Sequence, residues 1–303
     1  MRPSVDPDTI AGAVRAPLAE GRTNRWLELG FQGSLLFCVF AAFAVLAALI
    51  GDVLADGLGS LSLDFITDTP SRIVPEASGI GPALAGTLFL MAVCAAFIIP
   101  VGIATAVYLE EYANRESRIA RFIELNIQNL AAVPSIVYGI LGLAFLVRGP
   151  LSLGNTMVAG GLTLGLLVLP VLIVAGREAI RAVPNSIREG SMALGATKWQ
   201  TIWKQVLPAA LPGIATGAIL SLSRAIGETA PLIVVGAVYF ATSVPSSFGD
   251  DVTALPIQIF SWVSDPREEY KALAAAGILV LMAILLAMNA VAIWLRNKYE
   301  QKW

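Results

Sequence analysis

Long apolar stretches separated by shorter polar segments dominate the chain. Runs able to cross hydrocarbon, which takes about 20 helical residues, occupy residues 31–51, 83–109, 125–147, 156–176, 209–240 and 272–295. None alternates apolar and polar positions with period two, as the strands of a membrane barrel would, so helices are the structure that can satisfy the backbone in lipid. The pattern predicts an all-α integral membrane protein with six transmembrane helices spread over residues 31–303, preceded by a polar arm at 1–30. Composition agrees. With 56% hydrophobic and only 14% charged residues, and a mean hydropathy of +0.75, the chain is far from the make-up of a soluble domain.

Charge orients the spans, because segments that stay in the cytoplasm retain Lys and Arg. Counted from the N-terminus, the seven segments outside the apolar runs carry four, one, three, one, five, two and three basic residues. Both termini are therefore expected in the cytoplasm. Arg224 is left over as the basic residue inside a span. The net charge of −2 carries little information, since the acids gather in the segments assigned outside, such as Asp64, Asp68, Asp250 and Asp251.

Several chemistries are excluded or unsupported. The chain has no His and two Cys, Cys38 and Cys94, each within an apolar run, which argues against an imidazole or cysteine metal site and against a disulfide framework. It has no G-x-x-x-x-G-K-[ST] loop for a nucleotide. The first apolar run follows some thirty polar residues without a small-residue cleavage site, so an uncleaved anchor is expected rather than a signal peptide.

The segment 177–208 between the fourth and fifth runs, REAIRAVPNSIREGSMALGATKWQTIWKQVLP, is too polar for lipid and too patterned for a linker. Pro184 ends the emerging helix, and Ser186 with Glu189 makes an S-x-x-E pattern that predicts a capped new helix. Gly195 supplies the stop. Thr197 with Gln200 repeats the capping signature. A helix, a glycine turn and a helix also describe a DNA reader, but spans abut the pair on both sides and leave no room for a duplex, so no nucleic-acid partner is expected. The pair is a compact knob whose Met192, Ala193 and Leu194 offer apolar contacts to a cytoplasmic protein. A purely structural loop, with Glu189 acting only as a cap, is the simpler alternative.

These residues carry a resemblance. Glu189, Gly195, Leu207 and Pro208 stand at the spacing of the coupling loop of ABC importer permeases, in which E-A-A, three residues, G, nine residues and I-x-L-P are usual. Gly190 and Ser191 replace the two alanines, and Gln205 replaces the isoleucine. The blocks 79–112 (with GTLFL and YLEEY), 131–143, 183–199 and 223–232 together are similar to the phosphate-specific members, the A-type more than the C-type. The resemblance covers residue 79 to the end. It implies the fold of that family and a location in a prokaryotic cytoplasmic membrane. The implied partners are a C-type permease, nucleotide-binding ATPase subunits that hold ATP and Mg, an extracytoplasmic phosphate-binding protein, phosphate and the lipid bilayer. The chain itself is expected to have no cofactor and no enzymatic activity of its own, and Glu189, Met192, Ala193, Leu194 and Gly195 are implied to contact the ATPase.

Inside the fifth run, SLSRAIGETAPLIVVG puts Arg224 and Glu228 near mid-span, where an ionised group costs at least about 2.5–3.5 kcal/mol. Four residues apart on a helix, the two side chains share a face, which also carries Gly217, Ser221 and Pro231, and Thr229 joins the polar set. One reading is a self-neutralising ion pair that fixes the helix; the other is the wall of a polar passage. The resemblance implies the second, with Arg224 and Glu228 on the substrate path. The guanidinium fork suits a phosphate oxyanion, and the carboxylate can accept a hydrogen bond from the P–OH of hydrogen phosphate. Glu228 could instead park Arg224 between substrates. Asn126 and Asn129 could face the passage or bond between helices. The outer segment 241–271, with its amphipathic LPIQIFSWV, is expected to be an ordered loop with a short interfacial helix. Competing functions are an ATP-independent channel or ion-coupled anion carrier, a membrane enzyme using Glu228, and an ABC permease for another substrate.

Overall fold

The computed structural model describes residues 25–114, 117–238 and 240–299; most of the predicted N-terminal arm and the last four residues lie outside them. The chain divides into two units, residues 1–52 and 53–303. Residues 25–52 of helix α1 (Arg25–Gly57) make up the described part of the first, and its last five residues belong to the second. The helix is apolar all round, as a helix in lipid must be.

The second unit is helical throughout, with one isolated antiparallel bridge, Thr156 to Asp251, among the described residues. Its elements are α2 (Leu63–Thr67), α3 (Gly81–Val107), α4 (Arg118–Ala131), α5 (Ser135–Leu141), α6 (Met157–Arg181), α7 (Asn185–Ala193), α8 (Lys198–Thr201), α9 (Leu207–Ile226), α10 (Ala230–Val235), α11 (Leu255–Val263) and α12 (Glu268–Tyr299). Wider π turns extend α3 through Tyr108–Tyr112 and α5 through Gly142–Val147, and join α8 to α9 over Ile202–Val206. Among the described residues five helices are long and apolar enough to span a membrane, or six if a bent pair counts as one.

Two predicted spans are corrected. The third is not one helix: α4 and the helix after it meet at 107°. Pro134 causes this, since its ring forbids the helical bond and pushes the preceding residue out of helical conformation. The fifth stops at Ile226 and resumes at Ala230, with Pro231 in the first turn of α10. Pro100, Pro170 and Pro212, by contrast, sit inside continuous helices.

Helix α6 is the central post: 67% of its apolar window is buried within the protein, against 6% for α12. Small residues let its neighbours approach closely. A Cβ on Gly161 of α6 would lie 2.6 Å from Cβ of Val93 on α3, and one on Gly217 of α9 would lie 2.6 Å from Ala175. The main core fills the space between, with Leu90, Cys94, Ile98, Leu164, Val168 and Leu172 at its centre.

The N-terminal end of α6 is pinned by backbone bonds from the segment before α11: Met157 N–H to the Asp250 carbonyl at 2.9 Å, and Val252 N–H to the Asn155 carbonyl at 2.9 Å. The amides of Ser246 and Ser247 donate to Asp250 and hold its carboxyl below the usual carboxylate range. The short helix expected in this region exists as α11, but six of its nine residues are buried. It packs with Phe65, Ile80 and Tyr270 rather than lying free at an interface.

Gly161→Leu is expected to overpack the α3–α6 contact at a cost of about 1–3 kcal/mol. A thermal scan in detergent should record an apparent Tm lowered by roughly 3–10 °C, while Gly190→Ala, where a Cβ meets open space, should not lower it.

Candidate functional site

The polar residues foreseen in the fifth span fall at its interruption. Arg224 lies in the last turn of α9, Gly227 ends that helix with its N–H on the Arg224 carbonyl at 3.2 Å, and Glu228 and Thr229 occupy the gap before α10. Arg224 Nε stands 3.6 Å from Glu228 Oε1, a loose ion pair in which the guanidinium side chain is 47% exposed and the carboxylate 19%. Neither group is locked by the other. Arg224 therefore keeps donors free to reach across the surface it faces.

The second broken span meets the first here. A Cβ on Gly139 of α5 would lie 2.7 Å from Cα of Pro231, and the hydroxyl of the neighbouring Tyr138 donates to the Leu130 carbonyl at 2.8 Å. Irregular backbone at membrane depth survives only inside protein or beside water, and these two interruptions shelter one another. Ser223 donates to Asn289 Oδ1 at 3.3 Å and ties α9 to α12 at the same level.

The other predicted members divide. Thr229 is half-buried at the head of α10, with no capping bond from its side chain. Ser221 is fully buried, its hydroxyl donating to the Gly217 carbonyl at 2.8 Å, so it faces the packed side of α9 and not the surface of Arg224. The single face expected for Gly217, Ser221, Arg224, Glu228 and Pro231 is not found: Ser221 and Arg224 differ in burial within the unbroken α9, and the helix stops before Glu228. Asn126 bonds within α4, Nδ2 to the Phe122 carbonyl at 2.7 Å, and with Asn129 it belongs to the bent-away helix.

The knob between α6 and α9 is present. Helix α7 begins after Pro184 without a side-chain cap, so the Ser186–Glu189 box does not form; Pro184 starts the helix two residues early and puts Ser186 inside it. Glu189 is thereby released and lies exposed with Met192, Ala193 and Leu194, the last 92% exposed. Gly195 takes φ +87°, a left-handed turn that suits glycine, and the Thr197–Gln200 capping box is complete. The Ser191 and Thr201 hydroxyls, 2.9 Å apart, join the two helices.

A cluster missed in the sequence lies beneath the knob. The two acids of YLEEY, Glu110 and Glu111, are nearly buried, with 3% and 9% of their side chains exposed. Glu110 receives Arg181 through both oxygens at 3.1 Å. Glu111 receives Arg188 at 2.7 and 2.9 Å. The sequence signal was there, two adjacent acids ending an apolar run and Arg177, Arg181 and Arg188 in the segment that follows the fourth run; their pairing needs the fold.

Comparison with known proteins places this geometry in context. Residues 98–302 match the family described as binding-protein-dependent transport system inner membrane component. The chain belongs to that family. A phosphate transport system permease protein, PstA 1 of Mycobacterium tuberculosis H37Rv, is 36% identical over 227 residues, 74% of this chain and 72% of the relative. A probable ABC transporter permease protein, YqgI of Bacillus subtilis, is 30% identical across 89% of this chain and 95% of its own length. In fold, this family member is similar to a chain of a bacterial alginate ABC transporter solved with an alginate-bound periplasmic protein, TM-score 0.67 at 15% identity over 92% of this chain and 96% of that one. It is also similar to an inward-facing MetNI methionine ABC transporter chain, TM-score 0.58 at 17% identity over 74% and 95%. The expected family and the all-helical, multi-pass membrane architecture are thus both found.

Thr197→Ala removes the formed cap and should cost about 1 kcal/mol. Hydrogen exchange across residues 197–203 should then quicken about five-fold, with the α3–α6 core unaffected.

Proposed function

We propose that this chain is the membrane-spanning permease subunit of an ATP-driven inorganic phosphate importer, contributing half of the translocation path. The observation that carries the reading is Arg224: a basic side chain in the last turn of α9, inside the fifth apolar run, only loosely paired and half exposed, where two interrupted helices meet. A charge at that depth is costly, and an unsealed guanidinium suits a passing oxyanion. The phosphate transport permeases among the relatives support that choice of anion.

In this reading both termini and the α7–α8 knob face the cytoplasm of a prokaryotic cell. Glu189, Met192, Ala193, Leu194 and Gly195 meet a separate ATPase subunit, which binds ATP and Mg. A C-type permease supplies the other half of the path, and a phosphate-binding protein docks outside near residues 241–271. Closure of the ATPase dimer is passed through the knob and switches the passage beside Arg224 from one side to the other. Arg224 holds the ionised oxygens of hydrogen phosphate, Glu228 accepts its P–OH, and Thr229 lines the same gap. Ser221 stays behind the wall.

Reconstituted with its partners, the complex should hydrolyse ATP faster with phosphate only when the binding protein is present; phosphate movement by the isolated chain without ATP would overturn the reading. Arg224→Ala should lower phosphate uptake by about ten-fold or more, the worth of a charge-assisted bond, in a complex that still assembles. Glu228→Gln should lower the discrimination against sulfate, which has no proton to donate at neutral pH. Unchanged discrimination would remove the acceptor role of Glu228.

A further inference from the structure

Consecutive residues on a helix point about 100° apart, and the adjacent acids at the end of α3 use that divergence to hold two different elements. Glu111 reaches α7. Arg188 donates to its Oε1 through Nε at 2.9 Å and Nη2 at 2.7 Å, and the same guanidinium caps the end of α6 at the Val183 carbonyl (2.6 Å) and the Ile180 carbonyl (2.9 Å). With both side chains mostly buried, little water competes for the bond, and this is the stiff arm of the cluster.

Glu110 reaches α6. Its two oxygens are taken by Arg181 at 3.1 Å each, while Arg177 stands by at 3.6 Å from Nε to Oε2 and spends its Nη1 on Glu124 of α4 at 3.0 Å. Arg177 Nε is buried without a hydrogen-bond partner. A buried donor left unsatisfied is costly, so this arm has a better-bonded arrangement available if Glu110 shifts toward Arg177. One arm is saturated; the other has slack.

We propose that Glu111 and Arg188 fasten the α7 knob to the inner ends of α3 and α6 as one moving body, and that Glu110, shared between Arg181 and Arg177, is the pivot on which that body turns against α4, to which Arg177 is tied through Glu124. The proposal rests on the transport reading above and deepens it: motion given to the knob is delivered to the helix ends through positioning residues that never touch substrate. The two arms differ in kind, which a merely cohesive salt-bridge cluster would not require.

The test uses the full complex with its ATPase, partner permease and binding protein in vesicles, and reads phosphate moved per ATP hydrolysed. Glu111→Arg and Arg188→Glu alone should each lower that ratio about ten-fold with the ATPase still attached, and the double reversal should recover most of it, the coupling expected of a direct pair. Equal losses of hydrolysis and transport, or no recovery in the double variant, overturn the clamp. Should the reversals not assemble, Glu111→Gln and Arg188→Lys decide it: a ratio lowered about three-fold supports the clamp and an unchanged ratio overturns it. A parent complex whose hydrolysis ignores phosphate overturns the transport reading and the clamp with it, and is told apart from the other failures because no substitution is needed to see it.

Discussion

The tight seating of α6 is the constraint on which the other elements depend. Glycines and alanines bring α3 and α9 close enough that an added Cβ would collide with the neighbour, and this contact substitutes for the hydrophobic drive that is missing between helices in lipid. The post is fastened at both ends by polar bonds. At its N-terminal end backbone groups of the segment before α11 bond to residues 155–158; near its C-terminal end Arg177 and Arg181 grip Glu110. Apolar packing sets the distance between helices, and the polar ends set rotation and register.

Against that post the fold carries two interrupted helices, and their interruptions are adjacent. This explains how Arg224 and Glu228 can exist where lipid penalises charge. The backbone around Gly227 leaves the helical pattern beside α5, whose own start follows the Pro134 break. Within the continuous α9, Ser221 is buried in the packed interface while Arg224, three residues on, is exposed. The gap after Ile226 releases Glu228 onto a segment whose direction α10 sets. The polar surface here is therefore defined by where helices stop as much as by their faces.

The C-terminal end of α6 and the knob that follows it have the opposite character. The knob exposes Glu189, Met192 and Leu194 while its base is tied down by Arg188, and an apolar, partly aromatic groove including Tyr108, Trp199 and Trp203 lies beside it. A contact surface held on a rigid base moves as a body rather than by local melting, which suits a part that transmits force. The left-handed turn at Gly195 keeps the two short helices folded back on each other without strain.

Much of this was legible in the residues. Apolar run length alone determined the membrane class and all-helical fold, because unsatisfied backbone is intolerable in hydrocarbon; five of the six expected spans have their helix, and the Thr197–Gln200 cap formed as its local chemistry required. Local rules failed where two of them competed. Pro184 and Ser186 both offer a helix start, and the proline won, freeing Glu189. Hydropathy cannot register a break such as 227–229, since the gap is itself flanked by apolar residues. What only the tertiary structure decided was which groups meet: Glu110 and Glu111 with arginines some 70 positions away, Gly139 with Pro231, and Ser221 turned from the surface that Arg224 faces. Those encounters depend on packing angles between helices, which no local pattern of side chains encodes.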